Sequence, residues 1–256
     1  MTTQRPQLYA HRGSTLLAPE NTLPAFELAL AHGADVLEID VRLSRDKQVV
    51  VIHDESVDRT CNGVGKVQDL SLSQLKNLDA SFHFARREAQ LRKDQTVPLL
   101  SLSELFQLLP DVFINIDIKD NSEKAALAVA EAIKRAGREN TVNVGSFHAN
   151  ALAHFRLALP QVTTAATQIE VANLYFRRQR YGHLPFQYLQ IPIRYRGIPL
   201  ATRRFIQHAQ ARGIKCVYWT INDTGIMNQL LALGVNGIVT DRVDLAAPLL
   251  GKANRY

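Results

Sequence analysis

The chain has 256 residues, which suits either one large α/β barrel or two small domains. Its hydrophobic share of 46% provides a full-sized core and excludes a disordered chain, and no apolar run reaches the length of a membrane span. The net charge of +6 favours anionic partners, but no helix-turn-helix pattern or aromatic stacking platform accompanies it, so we expect no nucleic-acid partner.

The start of the chain leads directly into an apolar strand without a signal segment. The two cysteines, Cys61 and Cys216, are too few for a disulfide framework, which fits a reducing compartment. We therefore expect a cytoplasmic protein without stable membrane insertion. The sequence leaves the oligomeric state open, a homodimer included.

Short apolar strands alternate with amphipathic helical stretches along most of the chain. The strands are predicted over 8–10, 36–43, 112–118, 142–146, 163–167, 188–193, 215–220 and 235–239, and a hairpin arm over 49–52 returns along the second strand. The accompanying helices are predicted over 22–32, 102–109, 123–136, 150–158, 171–178, 201–211 and 225–233. Eight β/α units in about 250 residues predict an α/β fold of the (β/α)8 TIM barrel type. A doubly wound open sheet is the alternative, although no strand is followed by the glycine pattern of a dinucleotide site.

Residues 55–97 interrupt this alternation. They contain Gly63 and Gly65 and a polar helix predicted over 71–78, and they are too many for an ordinary barrel loop. We interpret the stretch as a small cap subdomain inserted after the second strand hairpin. The whole chain, 1–256, would then form one barrel domain.

Acidic side chains interrupt the apolar strands near their carboxyl ends, where the active site of a TIM barrel lies. Glu38 and Asp40 are two positions apart on one strand and point to the same face, and Asp117 lies at an inward position of the next principal strand. Three acids in one barrel mouth would repel one another without a cation among them. The set favours Mg²⁺ or Ca²⁺ with oxygen ligands, and a structural network of ion pairs with nearby basic side chains is the alternative.

Two of the eight histidines stand out, because His11 and His53 each end a buried strand beside a polar neighbour. Imidazoles exchange protons near neutral pH, so one could activate a nucleophile while the other protonates a leaving alkoxide across a phosphorus atom. Arg12 and Lys119 would supply positive charge for the phosphate oxygens. Trp219, the only tryptophan, is either a core residue or a pocket wall against an aliphatic part of the substrate. The run from Pro19 to Thr22 is interpreted as a helix start capped by Asn21 or Thr22, without a catalytic role.

Most of these residues lie in eight short runs: Ala10-His-Arg-Gly13, Pro19-Glu-Asn-Thr22, Glu38-Ile-Asp-Val41, Val51-Ile-His-Asp54, Asp58-Arg-Thr60, Asn115-Ile-Asp-Ile-Lys119, Trp219-Thr-Ile-Asn222 and Gly237-Ile-Val-Thr-Asp241. Taken in this order, the runs resemble those of the glycerophosphodiester phosphodiesterase family, and the resemblance extends over nearly the whole chain. The resemblance implies a barrel with a small insertion and a divalent metal ion. It also implies hydrolysis of a small-molecule glycerophosphodiester to sn-glycerol 3-phosphate and an alcohol.

The resemblance also implies roles for individual positions. His11 and His53 look like the acid/base pair, and Arg12 and Lys119 look like phosphate contacts. Trp219 looks like a pocket wall. The implied metal ligands are Glu38, Asp40 and Asp117. The family commonly has glutamate at the third of these positions, and a bridging water would make up for the shorter aspartate.

Rival functions stay open. A lysophospholipase D would use the same residues with a more apolar mouth, whereas the charged side chains within 55–97 favour soluble substrates. A barrel that only binds phosphorylated metabolites would show no metal-dependent hydrolysis, and a nuclease would bind nucleic acid in a salt-sensitive manner. Direct attack by water and a cyclic phosphate intermediate are both compatible with the motifs. Residues 163–196 contain no matching run, and we expect them to select the alcohol group.

Overall fold

A computed structural model describes residues 5–87, 96–176 and 184–252 of the chain. The strands are β1 (Gln7–His11), β2 (Val36–Leu43), β3 (Val49–Val51), β4 (Phe113–Ile118), β5 (Val142–Gly145), β6 (Thr163–Thr164), β7 (Tyr188–Ile191), β8 (Arg194–Tyr195), β9 (Ile198–Pro199), β10 (Lys215–Tyr218) and β11 (Gly237–Thr240). The helices are α1 (Leu23–Ala31), α2 (Leu72–Lys76), α3 (Phe82–Arg87), α4 (Leu102–Leu108), α5 (Glu123–Arg135), α6 (Ala149–Ala158), α7 (Gln168–Tyr175), α8 (Arg203–Gln210), α9 (Thr224–Leu233) and α10 (Val243–Leu249). A short 3-10 helix covers Val67–Asp69.

Eight of the described strands are parallel neighbours in the order β6-β5-β4-β2-β1-β11-β10-β7. A parallel bridge between Ala165 and Tyr188 brings the two ends of this order together, so the barrel is nearly closed. β3 pairs antiparallel with β2 outside the barrel, as the predicted hairpin requires. Because parallel neighbours need long crossovers, a helix follows each barrel strand before the next one begins. The predicted (β/α)8 TIM barrel is confirmed.

The register between neighbouring strands places the acidic positions at two successive levels of one face. His11 lies opposite Glu38 on β2, and Asp40 lies opposite Asp117 on β4. Because side chains alternate along a strand, these residues share the inner face of the barrel. Ile39 and Ile116, which separate them, are fully buried in the large core between the barrel and its helices. The alternation therefore divides each strand into a core face and a site face.

Several element boundaries differ from the sequence prediction. α7 begins at Gln168 rather than 171, because the Thr167 side chain caps the helix and Glu170 completes a capping box. Residues 177 and 178 of the predicted helix lie outside the described residues. The β8–β9 hairpin and α10 were not predicted. Among the described helices, none combines the length and apolar character needed to cross a bilayer.

The segment between β3 and α4 has a small apolar core of its own. Its buried members are Val50, Ile52, Val57, Cys61, Val67, Leu75, Ala80 and Leu99. A capping box at Ser71 starts α2, which is shorter than the polar helix predicted over 71–78. Residues 88–95 of the predicted cap lie outside the described residues, and its status as a subdomain of one 1–256 domain stays a prediction.

A layer of buried side chains fills the barrel interior just below the predicted site residues. It includes Tyr9, Val36, Val217 and Val239. The first three lie two positions before a predicted site residue, and Val239 lies two positions before Asp241. Gly237 faces this layer, where a Cβ atom would lie 2.7 Å from the ring of Tyr9. The barrel interior therefore requires glycine at this position.

We predict that Gly237→Ala lowers the free energy of unfolding by about 1–3 kcal/mol, because overpacking forces the tyrosine ring or the backbone to shift. Urea unfolding followed by circular dichroism measures the change. Gly145→Ala is the control, since its added carbon would meet neighbours no closer than 3.4 Å, and we expect its effect to stay within about 0.5 kcal/mol. Equal stabilities of the two variants would contradict the prediction.

Candidate active site

A cavity of about 400 Å³ opens at the carboxyl ends of the barrel strands, and all eight predicted site residues line it. They come from five places in the chain: the end of β1, the middle of β2, the segment after β3, the end of β4 and the segment after β10. The residues concerned are His11, Arg12, Glu38, Asp40, His53, Asp117, Lys119 and Trp219. The fold thus brings the whole predicted set into one cavity.

His11 is held by a carboxylate from the last barrel strand. Its Nδ1 lies 2.6 Å from Oδ1 of Asp241, and the Thr15 hydroxyl donates to the same oxygen. The Asn222 amide donates to the other oxygen, Oδ2. Burial alone would lower the pKa of His11, but the Asp241 hydrogen bond and the charge of Glu38 outweigh it and raise the pKa. The same hydrogen bonds outweigh burial at Asp241 and hold its pKa at about 2. Asp241 is therefore an ionised acceptor that orients the imidazole.

His53, which lines the same cavity, is held in the same way. Its Nδ1 lies 2.6 Å from Oδ1 of Asp54, whose other oxygen accepts from Arg59. Arg59 donates two further bonds of 2.7 Å to Glu20. Burial would raise the pKa of Asp54, but Arg59 and His53 lower it to about 2. Because a carboxylate holds Nδ1 of both imidazoles, Nε2 is the nitrogen that can exchange a proton with a substrate.

Asp40 is the most strongly compensated of the three acids. Lys119 Nζ lies 2.9 Å from its Oδ1, and Arg12 Nε lies 3.0 Å from its Oδ2. The Asn21 amide donates to the same Oδ2 at 3.0 Å. Burial would raise the pKa of Asp40, but the charges of Lys119 and Arg12 outweigh it and lower the pKa. Lys119 also lies 2.6 Å from Asp117, and its own pKa rises to about 12 because both carboxylates outweigh its burial.

Glu38 is buried with less compensation. Its carboxylate accepts a 3.2 Å hydrogen bond from the backbone N–H of Arg12. Burial and the charge of Asp40 raise the pKa of Glu38 well above its usual range, although His11 opposes them. Burial raises the pKa of Asp117 as well, with Lys119 opposing. The cluster therefore has more buried acid than its two cations neutralise, and this donor set suits a divalent cation.

Within the described parts of the chain, no three acidic, imidazole or thiol groups converge closely enough to enclose an ion. The Lys119 ammonium lies between Asp40 and Asp117 instead. The structure thus shows the ion-pair network that the sequence left as the alternative, built on the same residues that would ligate a metal. The two arrangements are compatible, because an ammonium group can exchange its carboxylate partners for a phosphate.

Trp219 lines the cavity, and its ring meets that of Phe147 nearly edge-on with centroids 5.8 Å apart. The structure thus places it at the wall and not within the helix-facing core.

Sequence reasoning missed several partners of the site. The predicted side-chain cap of α1 is wrong: Thr22 occupies the N-cap position, but its hydroxyl donates to the Pro19 carbonyl. Asn21 holds Asp40 instead. Asp241 follows the last barrel strand directly. Its position at the end of a buried strand, the feature that singled out His11, was therefore a signal for Asp241 as well. Arg59 does not lie at a strand end, and only the run Asp58-Arg-Thr60 drew attention to it.

Comparison with known proteins decides the family. The chain matches the model of the glycerophosphoryl diester phosphodiesterase family over residues 11–245. The chain belongs to this family. The resemblance found in the motifs and the predicted enzyme class, a glycerophosphodiester phosphodiesterase, are confirmed.

Relatives of this phosphodiesterase are similar over nearly their whole length. A glycerophosphodiester phosphodiesterase from Caldanaerobacter subterraneus is 32% identical over 95% of this chain and 97% of its own. A human lysophospholipase D is 29% identical over 91% of this chain and 82% of its own. The structure of an Oleispira antarctica phosphodiesterase in complex with the product sn-glycerol-3-phosphate superposes with a TM-score of 0.81 and 26% identity, covering 96% of this chain and 97% of that one.

We predict that Asp241→Asn lowers the pKa of His11, because an amide removes the negative charge that favours the imidazolium form. At a given pH near neutrality, a smaller fraction of His11 is then protonated. An NMR titration of the imidazole resonances measures the shift. Asp244→Asn, which breaks the surface pair with Arg242, is the matched control and should leave the His11 titration in place. An unchanged or raised His11 pKa in Asp241→Asn would contradict the assignment.

Proposed function

We propose that this phosphodiesterase hydrolyses glycerophosphodiesters to sn-glycerol 3-phosphate and an alcohol by general acid/base catalysis with His11 and His53. The observation that carries the proposal is the arrangement of two carboxylate-held imidazoles around one cavity that also contains Arg12 and Lys119. Membership in the family supports the substrate class. A cytoplasmic location and the absence of a nucleic-acid partner are part of the proposal, and a homodimer stays open.

Arg12 and Lys119 would bind the phosphodiester. Both cations line the cavity, and both are anchored on buried carboxylates, so little reorganisation is needed when an anion arrives. Positive charge that is already fixed stabilises the negative charge that develops on non-bridging oxygens. The network in the free protein therefore prepares the site for phosphate.

The two histidines would divide the proton transfers. The raised pKa of His11 favours its protonated form, so we assign it the role of general acid that protonates the departing alkoxide. His53 would accept the proton of the nucleophile, and Asp54 would stabilise the resulting imidazolium. Water or the glycerol 2-hydroxyl is the nucleophile, and the P–O bond to the alcohol breaks as the new P–O bond forms.

A divalent cation, Mg²⁺ or Ca²⁺, would be held by Glu38, Asp40 and Asp117. Bound there, it would supply Lewis-acid polarisation of the phosphate oxygens. The three buried carboxyls and the raised pKa of Glu38 support this assignment, because the two basic side chains do not neutralise all of that charge.

The first test measures sn-glycerol 3-phosphate release from a panel of glycerophosphodiesters with Mg²⁺, Ca²⁺ or a chelator. We expect turnover that the chelator abolishes and that one of the two ions restores. Thermal unfolding provides a second readout, because a bound cation should raise the melting temperature of the parent protein but not that of Asp40→Asn. Binding of diesters without hydrolysis would favour the non-catalytic barrel, and chelator-insensitive turnover would exclude the metal.

The second test removes each imidazole. We expect His11→Ala and His53→Ala each to lower kcat by about 10²- to 10⁴-fold, the usual contribution of a positioned acid or base. His154→Ala is the control, because that residue lies on α6 away from the cavity and should keep parental turnover. Near-parental turnover in either site variant would overturn the two-histidine assignment. Phosphorus NMR of the slow variants separates direct hydrolysis from a cyclic phosphate route.

A further inference from the structure

A series of ion pairs connects Arg12 to His53 outside the cavity. Glu20 accepts one hydrogen bond of 3.0 Å from Arg12 and two of 2.7 Å from Arg59. The Nε of Arg59 donates to Asp54, which in turn holds Nδ1 of His53. The three intermediate side chains, Glu20, Arg59 and Asp54, do not line the cavity. They therefore act on a substrate through the two residues at the ends of the series.

Glu20 is the point at which two cations meet. Its Oε1 accepts from both guanidinium groups, and its Oε2 accepts a second bond from Arg59. Only 14% of the Glu20 side chain is exposed. Burial alone would raise the pKa of Glu20, but the hydrogen bonds and charges of Arg59 and Arg12 outweigh it and lower the pKa. An ionised carboxylate with three charge-assisted bonds fixes the relative positions of both guanidinium groups.

The backbone around Arg12 keeps Glu20 within reach. Arg12 has a φ of 50° and Asn21 a φ of 56°, both in the left-handed region. The N–H of Asn21 donates to the carbonyl of Arg12 at 2.9 Å, which closes the loop 12–21. Residues other than glycine adopt this region where the surrounding contacts hold them. The loop thus brings Glu20 back beside the guanidinium group of Arg12.

The inserted segment after β3 supplies Arg59 on a fixed turn. Val57 and Cys61, two positions to either side of Arg59, are buried in the small core of that segment. The N–H of Cys61 donates to the carbonyl of Val57 at 2.9 Å, and the N–H of Val57 donates to Gly65 at 3.0 Å. None of the described residues within 55–97 lines the cavity. Arg59 therefore links this segment to the site indirectly, through the partner of an imidazole.

We propose that Glu20 and Arg59 are positioning residues that hold His53 and Arg12 in fixed relative positions, so that the base faces the phosphate that the cation binds. This inference deepens the proposed function and rests on it, because its effect is exerted through His53. Neither positioning residue touches the substrate, and neither gains or loses a proton. The inserted segment thus contributes to the reaction by carrying one of them.

The first test is Arg59→Lys, which keeps the charge but loses the planar fork that binds Glu20 and Asp54 together. We expect kcat for glycerophosphocholine to fall by about 10- to 100-fold, because a displacement of about 1 Å in a reacting group has an effect of that size. KM should change little, since Arg12 keeps its pair with Asp40.

Lys66→Gln is the matched control for this variant. It breaks the exposed ion pair between Lys66 and Glu55 in the same segment, and we expect it to keep parental kcat and KM. Circular dichroism checks that both variants are folded. Parental kcat in Arg59→Lys, measured beside a slow His53→Ala variant, would overturn this inference and leave the proposed function in place.

Glu20→Gln tests the other half of the coupling. The amide removes the charged acceptor of both guanidinium groups, so we expect KM to rise as well as kcat to fall. Glu20→Asp restores the charge on a shorter side chain and should recover part of both losses. A lower kcat with unchanged KM in Glu20→Gln would overturn the coupling to Arg12. If this variant does not fold, the Glu20→Asp variant carries the same comparison.

A double-mutant cycle separates positioning from a general contribution to the fold. If Arg59 acts through His53, adding Arg59→Lys to His53→Ala should lower kcat by less than about twofold, because the group it positions is already gone. Substitutions that only weaken the fold would lower kcat independently of each other. The full loss of the single Arg59→Lys variant in the His53→Ala background would therefore overturn the inference. Parental turnover of His53→Ala alone would overturn the proposed function as well.

Discussion

Buried negative charge organises this barrel mouth. Glu38, Asp40 and Asp117 lie on adjacent strands of the nearly closed barrel, the first two buried and the third largely so. An uncompensated carboxylate in such a place costs several kcal/mol. Lys119 and Arg12 compensate the charge of Asp40 by ion pairs. The same two cations line the cavity that a phosphodiester would enter. The two cations that compensate the buried carboxylates thus also place positive charge where the reaction would develop negative charge.

The two imidazoles follow a second common rule. Each has Nδ1 held by an ionised aspartate, Asp241 for His11 and Asp54 for His53, and each aspartate is fixed by further donors. Such a partner sets the tautomer and stabilises the imidazolium form. The partners come from different parts of the chain, because Asp54 is adjacent in sequence while Asp241 depends on closure of the barrel between β1 and β11.

The alternation of apolar strands and helices was enough to predict the barrel. The eight predicted residues, which all line one cavity, came from polar side chains near strand ends, the single tryptophan and the family resemblance. The partner of His11 needed the pairing of the first strand with the last, which no local pattern contains. A side-chain cap from Asn21 or Thr22 was expected, because a polar residue before a helix usually serves the helix backbone. Here Asn21 donates to Asp40 in the site, and Thr22 takes the N-cap position without a side-chain cap bond. The β8–β9 hairpin escaped prediction because its two-residue strands carry no periodic signal.

Crystals grown with sn-glycerol 3-phosphate and Ca²⁺ offer the most direct test of the central claim, that one phosphate site lies between both imidazoles over the acidic cluster. We expect phosphate oxygens within hydrogen-bond distance of Nε2 of His11 and of His53, with the ion in contact with Glu38 and Asp40. A phosphate that contacts only one imidazole, or that lies away from the acids, would contradict it.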